Sequence, residues 1–312
     1  LKRTGLYIAL STVLFSLMEI TLKSTGGAFN PIQINWIRFT IGGIVLLPFA
    51  IHSLRMSNSM IHLADLKLFA LTGLMCLVVS MTLFQLAITY DKASTVAVVF
   101  CSNPVFALIF SNLILKERLG RANLISVVVS LIGLLIIVNP THLTNPLGLT
   151  LSISSALTFG LYSIISRYGS LRRGFDGITM TCFTFLIGSV ELMVIMFITK
   201  IPAVATAMNH VSWLKQFSAI PFFNNVTPQY FWLLFFVGVG VTGGGFAFYF
   251  MAMELSDVST SSLVFFIKPA LAPIFAALLL SEDVLPTTIV GILVIIAGSF
   301  VAFLGNKKRQ RV

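Results

Sequence analysis

Apolar runs of about 20 residues, parted by short polar turns, recur along the chain at 5–23, 32–51, 67–89, 93–115, 122–139, 147–166, 177–199, 230–253, 258–280 and 285–304. A helix rises about 1.5 Å per residue, so each run is long enough to cross the roughly 30 Å hydrocarbon core of a bilayer. The pattern therefore predicts an all-α polytopic membrane protein with ten transmembrane helices. Its best-defined turns are "TYDKAS" at 89–94, "KERLGR" at 116–121, "NPTHLTNPLG" at 139–148 and "ELSDVS" at 254–259. The longest break is 200–229. Within it "AMNHVSWLKQF" has one apolar and one polar side, which predicts a segment lying along the interface with Trp213 at headgroup depth, as a connector or a substrate lid.

Composition agrees: the chain is 57% hydrophobic, 10% charged, and has a mean hydropathy of +0.99. Ordinary soluble domains are roughly 45–50% apolar. The formal charge of +10 does not predict a nucleic-acid partner, because all of its Lys and Arg residues but Arg38 and Lys268 sit between apolar runs or at their ends rather than in one basic patch. Topology accounts for them. With ten spans, Lys2, Arg3, Arg55, Lys67, Lys116, Arg118, Arg121, Arg167, Arg172, Arg173 and the tail from Lys307 to Arg311 share the side of the termini. Only Lys23, Lys92, Lys200 and Lys215 face the other side. The positive-inside rule then places both termini in the cytoplasm. Cys76, Cys101 and Cys182 lie singly in apolar runs and read as packing residues, with no metal or disulfide spacing. The first run lacks a small-residue cleavage site, so it reads as a span rather than a signal peptide.

The chain also repeats itself. A gap-free shift of 165 residues lays 84–138 on 249–303, matching Ser94-Thr95 to Ser259-Thr260, Pro104 to Pro269, Glu117 to Glu282 and Gly133 to Gly298. This predicts two five-helix repeats, 1–139 and 140–312, in one membrane domain. An odd number of spans per repeat inverts the second, which is the architecture of secondary transporters with a site near the midplane.

These residues carry a resemblance to the drug/metabolite transporter superfamily, in its EamA-like ten-helix branch. The resemblance covers all ten spans and rests mainly on Pro104…Glu117 and Pro269…Glu282, with Phe15-Ser16…Lys23 matching Phe159-Gly160…Arg167. Two departures stand out. The family usually shows Trp-Gly where this chain has Phe15-Ser16 and Phe159-Gly160, and many members carry an acid where it has Lys268. The resemblance implies a central cavity lined by spans 1, 3, 4, 6, 8 and 9.

The candidate residues follow from what a bilayer makes costly. Pro104 and Pro269 each free the carbonyl four residues back, Phe100 and Phe265, and with Pro273 they predict helix breaks or gating positions facing a cavity. Lys268 lies near mid-span, about 15 Å from either end, where a lysine costs roughly 2.5–3.5 kcal/mol to insert. Three readings are open: it receives an anionic group of a substrate, it pairs with Glu191 or Glu19, or it is neutral and exchanges a proton. Glu19, Lys23 and Arg38 flank the first turn and predict a local charge cluster, with a gate or coupling site as the alternative. Gln85, Asn103, Ser155, Thr158, Tyr162 and Tyr249 are polar positions facing the expected cavity, or interhelical glue. The run "GVGVTGGG" at 238–245 lacks the strand and Lys-Ser/Thr of a nucleotide loop and predicts close packing or a hinge.

The functional expectation is a secondary transporter, an exporter or facilitator of small organic metabolites such as amino acids, in a bacterial inner membrane. A transporter of phosphorylated or nucleotide-linked solutes is the alternative. An enzyme, a scaffold or a receptor is disfavoured: no HExxH, GxSxG or paired intramembrane aspartates occur. No cofactor or metal is expected. The expected partners are the lipid bilayer, a small-molecule substrate, and a proton or other coupling ion.

Overall fold

The structure is a computed structural model that describes residues 2–25, 27–116, 121–138, 145–211, 214–255 and 263–309. Glu117, Trp213, Ser259-Thr260 and parts of the turns expected at 116–121, 139–148 and 254–259 lie outside the described residues. Among those described the regular elements are all helices, with no strand. The long rods are α1 (Lys2–Ser24), α2 (Pro31–Met56), α3 (Leu63–Tyr90), α4 (Ala93–Leu115), α5 (Arg121–Val138), α6 (Pro146–Arg173), α7 (Gly177–Thr199), α8 (Phe231–Glu254), α9 (Leu263–Leu280) and α10 (Pro286–Arg309). Among the described residues, seven segments meet the length and apolarity needed to cross a membrane: α1 to α4, α6, α7 and Pro228–Ala252. Shorter apolar stretches, Ile267–Leu280 and Pro286–Gly298, lie in α9 and α10. The chain is an all-α integral membrane protein.

Local chemistry sets the ends and irregularities of these rods. Asn30 opens α2 with a capping box: its side chain accepts from Ile32 N–H while Gln33 accepts from Asn30 N–H. Proline occupies the first turn of α2, α6 and α10, where the lost N–H has no intrahelical partner. α3 is π-helical over Leu74–Met81 and α8 over Phe236–Gly244; the 165-residue shift makes these stretches overlap. α4 is interrupted at Cys101-Ser102. Lys116 and Ser281, also 165 residues apart, both follow the ends of their helices in the left-handed region, at φ 56° and 53°.

Packing follows one exchange rule. α1 packs on α8 and α9, α6 on α3 and α4, α2 on α7 and α8, and α3 on α7. Swapping each of the first five helices for the one five places later turns every such pairing into another that is present. It maps α2–α7, α4–α9 and α5–α10 onto themselves. Small residues bring the rods together. A Cβ on Gly133 would lie 2.8 Å from the Gly291 carbonyl oxygen, so α5 and α10 meet backbone to backbone. In the Gly-rich run, Gly238 packs on Ile41 and Gly245 on Phe15, as close packing requires.

The α7–α8 connection caps the bundle end where α1, α3 and α9 finish. It holds a short helix, Pro202–Asn209. Asn30 Nδ2 donates to Gln216 O at 2.9 Å, Gln33 Nε2 to Asn224 O at 2.8 Å, and Trp36 stacks edge-on with Phe222 at 5.4 Å. Beneath it, the Glu282 carboxylate accepts from Ala93 N (2.9 Å), Ser94 N (3.1 Å) and Ser94 Oγ (2.7 Å), capping α4. At the far end Arg173, on α6, pairs with buried Asp65 on α3.

Candidate functional site

Lys268 lies on α9, immediately before Pro269, on the buried side that packs on α1. Its ammonium donates to Glu19 Oε1 at 2.5 Å, and both side chains are 1% exposed. The ammonium also stands 5.4 Å from the centroid of the Phe100 ring, and Cys101 lies within electrostatic reach. Of the two partners the sequence offered, Glu19 is the one in contact. Glu191 instead turns its carboxylate to the crossing of α3 and α7, where a Cβ on Gly73 would come 3.0 Å from Glu191 Oε2.

Arg38 lies in the same buried layer, with 0% exposure. Its Nε donates to Asn35 Oδ1 at 3.1 Å, its two terminal nitrogens point at Met18 Sδ (3.6 Å) and Met81 Sδ (3.4 Å), and its guanidinium sits 4.2 Å from the Phe39 ring. Cys76 and Glu19 are within electrostatic reach of it. Lys23 does not join this group, which corrects the expected Glu19–Lys23–Arg38 cluster. It lies one turn beyond Glu19, and there its ammonium reaches the free carbonyls at the end of α3, Ile88 O at 2.7 Å and Asp91 O at 2.5 Å. Those carbonyls are the unpaired acceptors that a helix C-terminus presents to a cation.

The polar candidates divide by what already satisfies them. Asn103 Nδ2 donates to Phe100 O at 2.8 Å. That is the carbonyl Pro104 leaves without its helical N–H, so the residue before the proline heals the break. Ser155 and Ser80 exchange hydroxyl-to-carbonyl bonds at 2.8 and 3.0 Å, joining α6 to α3. Thr158 donates within its own helix, to Ser154 O. Gln85 Oε1 and Glu19 Oε2 are buried without a hydrogen-bond partner, while the buried Tyr162 hydroxyl lies beside Ser166 and Cys76. Tyr249 is partly buried and packs on Phe265, with ring centroids 5.4 Å apart. Pro269 and Pro273 sit inside a continuous α9, whereas Pro104 begins the second part of α4. Phe84, Phe100, Phe159 and Tyr162 form an unbroken aromatic series, with centroid spacings of 4.8, 5.1 and 5.4 Å.

The site thus joins α1, α2 and α3 to α9, lined by aromatic rings and thioethers. Sequence reading passed over Met18, Met81, Cys76 and Asn35, although Asn35 stands at i−3 to Arg38 and so on its face. Exposures of 0–1% mean that Glu19, Arg38 and Lys268 are sealed from water in this state. A surface pocket formed by Ile51, Leu54, Arg55, Asn58, Ser59 and Met60 lies near the end of α2 and includes none of these groups.

Comparison with known proteins bears on this centre. The EamA-like transporter family matches residues 3–139 and 146–304. A protein of Clostridium kluyveri named as an uncharacterized transporter is 32% identical, over 99% of this chain and 95% of its own. An S-adenosylmethionine uptake transporter of Rickettsia prowazekii is 24% identical, over 97% of this chain and 92% of its own. A solved crystal structure shares the fold, with a TM-score of 0.66 at 18% identity over 96% of this chain and 97% of that one. The all-α membrane fold, the whole-length family match and the named relatives agree: the chain belongs to the EamA-like transporter family, and its function is transport.

Proposed function

We propose that this chain is a secondary transporter, an exporter or facilitator, of small organic metabolites such as amino acids. Two inverted halves, 1–139 and 140–312, expose a central site to each side of the membrane in turn. The observation that carries this reading is the buried Lys268–Glu19 pair, which ties a helix of one half to a helix of the other. Intramembrane ionisable groups are costly and usually mark substrate or ion pathways. The two-half reading is supported by the exchange pattern of helix contacts and by the division of the family match into two segments.

The sealed centre corresponds to an occluded state. Moving cargo requires α1 and α9 to part, first on one side and then on the other, while the Lys268–Glu19 pair is broken or shared with the substrate. Both termini are cytoplasmic in this proposal, so the Glu282 cap on α4 lies on the outer side. Gln85 and Tyr162 are the substrate contacts this arrangement favours, because Gln85 Oε1 is buried without a partner and the buried Tyr162 hydroxyl has only the side chains of Ser166 and Cys76 beside it. Asn103, Ser155 and Thr158 would have to exchange an existing bond. S-adenosylmethionine, the substrate in the Rickettsia prowazekii relative's name, ends in an α-amino acid and falls within the proposed class.

The test is a thermal-shift screen of the purified protein against amino acids, organic acids, phosphorylated metabolites and organic cations, followed by counterflow of the hits in proteoliposomes. Stabilisation by amino acids and saturable counterflow, both altered in Lys268→Met, support the proposal. Hits confined to phosphorylated solutes favour the alternative cargo, and binding without flux refutes the transport cycle.

A further inference from the structure

Charge balance in the buried layer points beyond Lys268. Two cations, Arg38 and Lys268, face one carboxylate, Glu19, among the described residues. That carboxylate spends its bonded oxygen on Lys268, leaving Arg38 without an ionic partner at contact distance. A guanidinium has five N–H donors in a planar fork, and it almost never sits fully buried unpaired. Here one donor goes to Asn35, while the hydrogen-bond partners of the two terminal nitrogens are thioether sulfurs, which are weak acceptors. Methionine is unbranched and re-packs readily. The sulfurs of Met18 and Met81 are therefore displaceable stoppers on the bidentate fork.

We infer that Arg38 is the anion-binding group of the transport site and takes the carboxylate of the cargo, with Met18 and Met81 swinging aside. This rests on the transport reading above. A carboxylate fits the fork with two parallel charge-assisted bonds, and its single charge neutralises the single excess positive charge of the layer. A phosphate dianion would over-neutralise it. The cargo's remaining body meets the aromatic series ending at Tyr162, whose hydroxyl lies near Cys76, itself within electrostatic reach of Arg38. Lys268, already neutralised, then serves to hold α1 against α9 rather than to receive the anion. The inferred ligand is an organic monocarboxylate with an apolar or aromatic body.

The experiment titrates purified wild type, Arg38→Gln and Arg38→Lys with the proteinogenic amino acids, 3-phenylpropionate, the matching amides, and inorganic phosphate. Intrinsic-fluorescence melting is the readout, and size-exclusion chromatography establishes folding. Carboxylates should stabilise wild type and their amides should not. Arg38→Gln should weaken binding about tenfold or more, and Arg38→Lys, which keeps the charge but loses the fork, by several-fold. The inference is overturned if amides match acids, if phosphate alone stabilises, if no acid in the panel shifts wild type, or if folded Arg38→Gln responds as wild type does. The acid-against-amide comparison is made on wild type and so holds even where a variant fails to fold. Counterflow separates this inference from the transport reading: acid binding without flux refutes transport and leaves the site, whereas full flux in Arg38→Gln does the reverse.

Discussion

Removing one member of the Lys268–Glu19 pair should cost more than removing both, and the two single changes should be unequal. Each side chain is 1% exposed and the contact is 2.5 Å, so neither charge can recover its hydration when the other is deleted. Breaking a buried pair in this way typically costs about 3–5 kcal/mol, while replacing both partners by neutral groups is often near neutral. Lys268→Met leaves Glu19 with Arg38 still within electrostatic reach, which offsets part of the loss. Glu19→Gln leaves two buried cations and no anion, so it should be the worse of the two by about 1 kcal/mol or more. The double variant Glu19→Gln/Lys268→Met should recover at least about 2 kcal/mol relative to the sum of the singles. Denaturant unfolding in mixed micelles, read as a double-mutant cycle on all four proteins, measures this coupling. If the single effects add within about 0.5 kcal/mol, the pair is not energetically coupled and the charge centre described here is wrong.

Other expectations follow from single contacts. Asn103→Ala should destabilise by about 1–2 kcal/mol because it strands the Phe100 carbonyl; Asn103→Ala/Pro104→Ala, which restores the helical N–H, should recover most of that loss in the same unfolding assay. Gly133→Val should lower the melting temperature by several degrees and loosen the α5–α10 crossing, since its Cβ would meet the Gly291 carbonyl oxygen, which cannot yield. A melting temperature equal to wild type would refute that crossing. Burial pushes the Asp91 carboxyl, in the turn between α3 and α4, above its ordinary range. A raised folded value favours the protonated fold, so this group's contribution is full below about pH 4 and is lost as pH rises through the raised value. The melting temperature of Asp91→Asn minus that of wild type should accordingly grow from pH 4 towards neutrality, and a pH-independent difference would refute it.

Depth in the bilayer made part of this site legible from sequence. A lysine at mid-span must have a partner or a cavity, and Lys268 has a partner. Which carboxylate it finds depends on α1 packing on α9, a contact between residues 249 apart in sequence, and no local pattern encodes that. Lys23 shows the opposite limit: its i, i+4 spacing to Glu19 is real, but free carbonyls on another helix outcompete the neighbour. Pro104 stands at a break in α4 while Pro269 and Pro273 lie inside a continuous α9, and the bond Asn103 makes back to Phe100 could have been anticipated from the residue before a proline carrying a side-chain donor. The thioethers around Arg38 were invisible because methionine in an apolar run looks like any core residue.

Cys76 and Cys101, described above beside Arg38 and Lys268, give the chain a built-in labelling chemistry. All three cysteines are buried, so the occluded protein should resist N-ethylmaleimide without any cysteine being engineered away. Thiols react only as solvated thiolates. Alkylation of Cys76 or Cys101 in the native sequence would therefore time the moments at which water enters the centre, and membrane-impermeant maleimides added to one face or the other would report from which side it came.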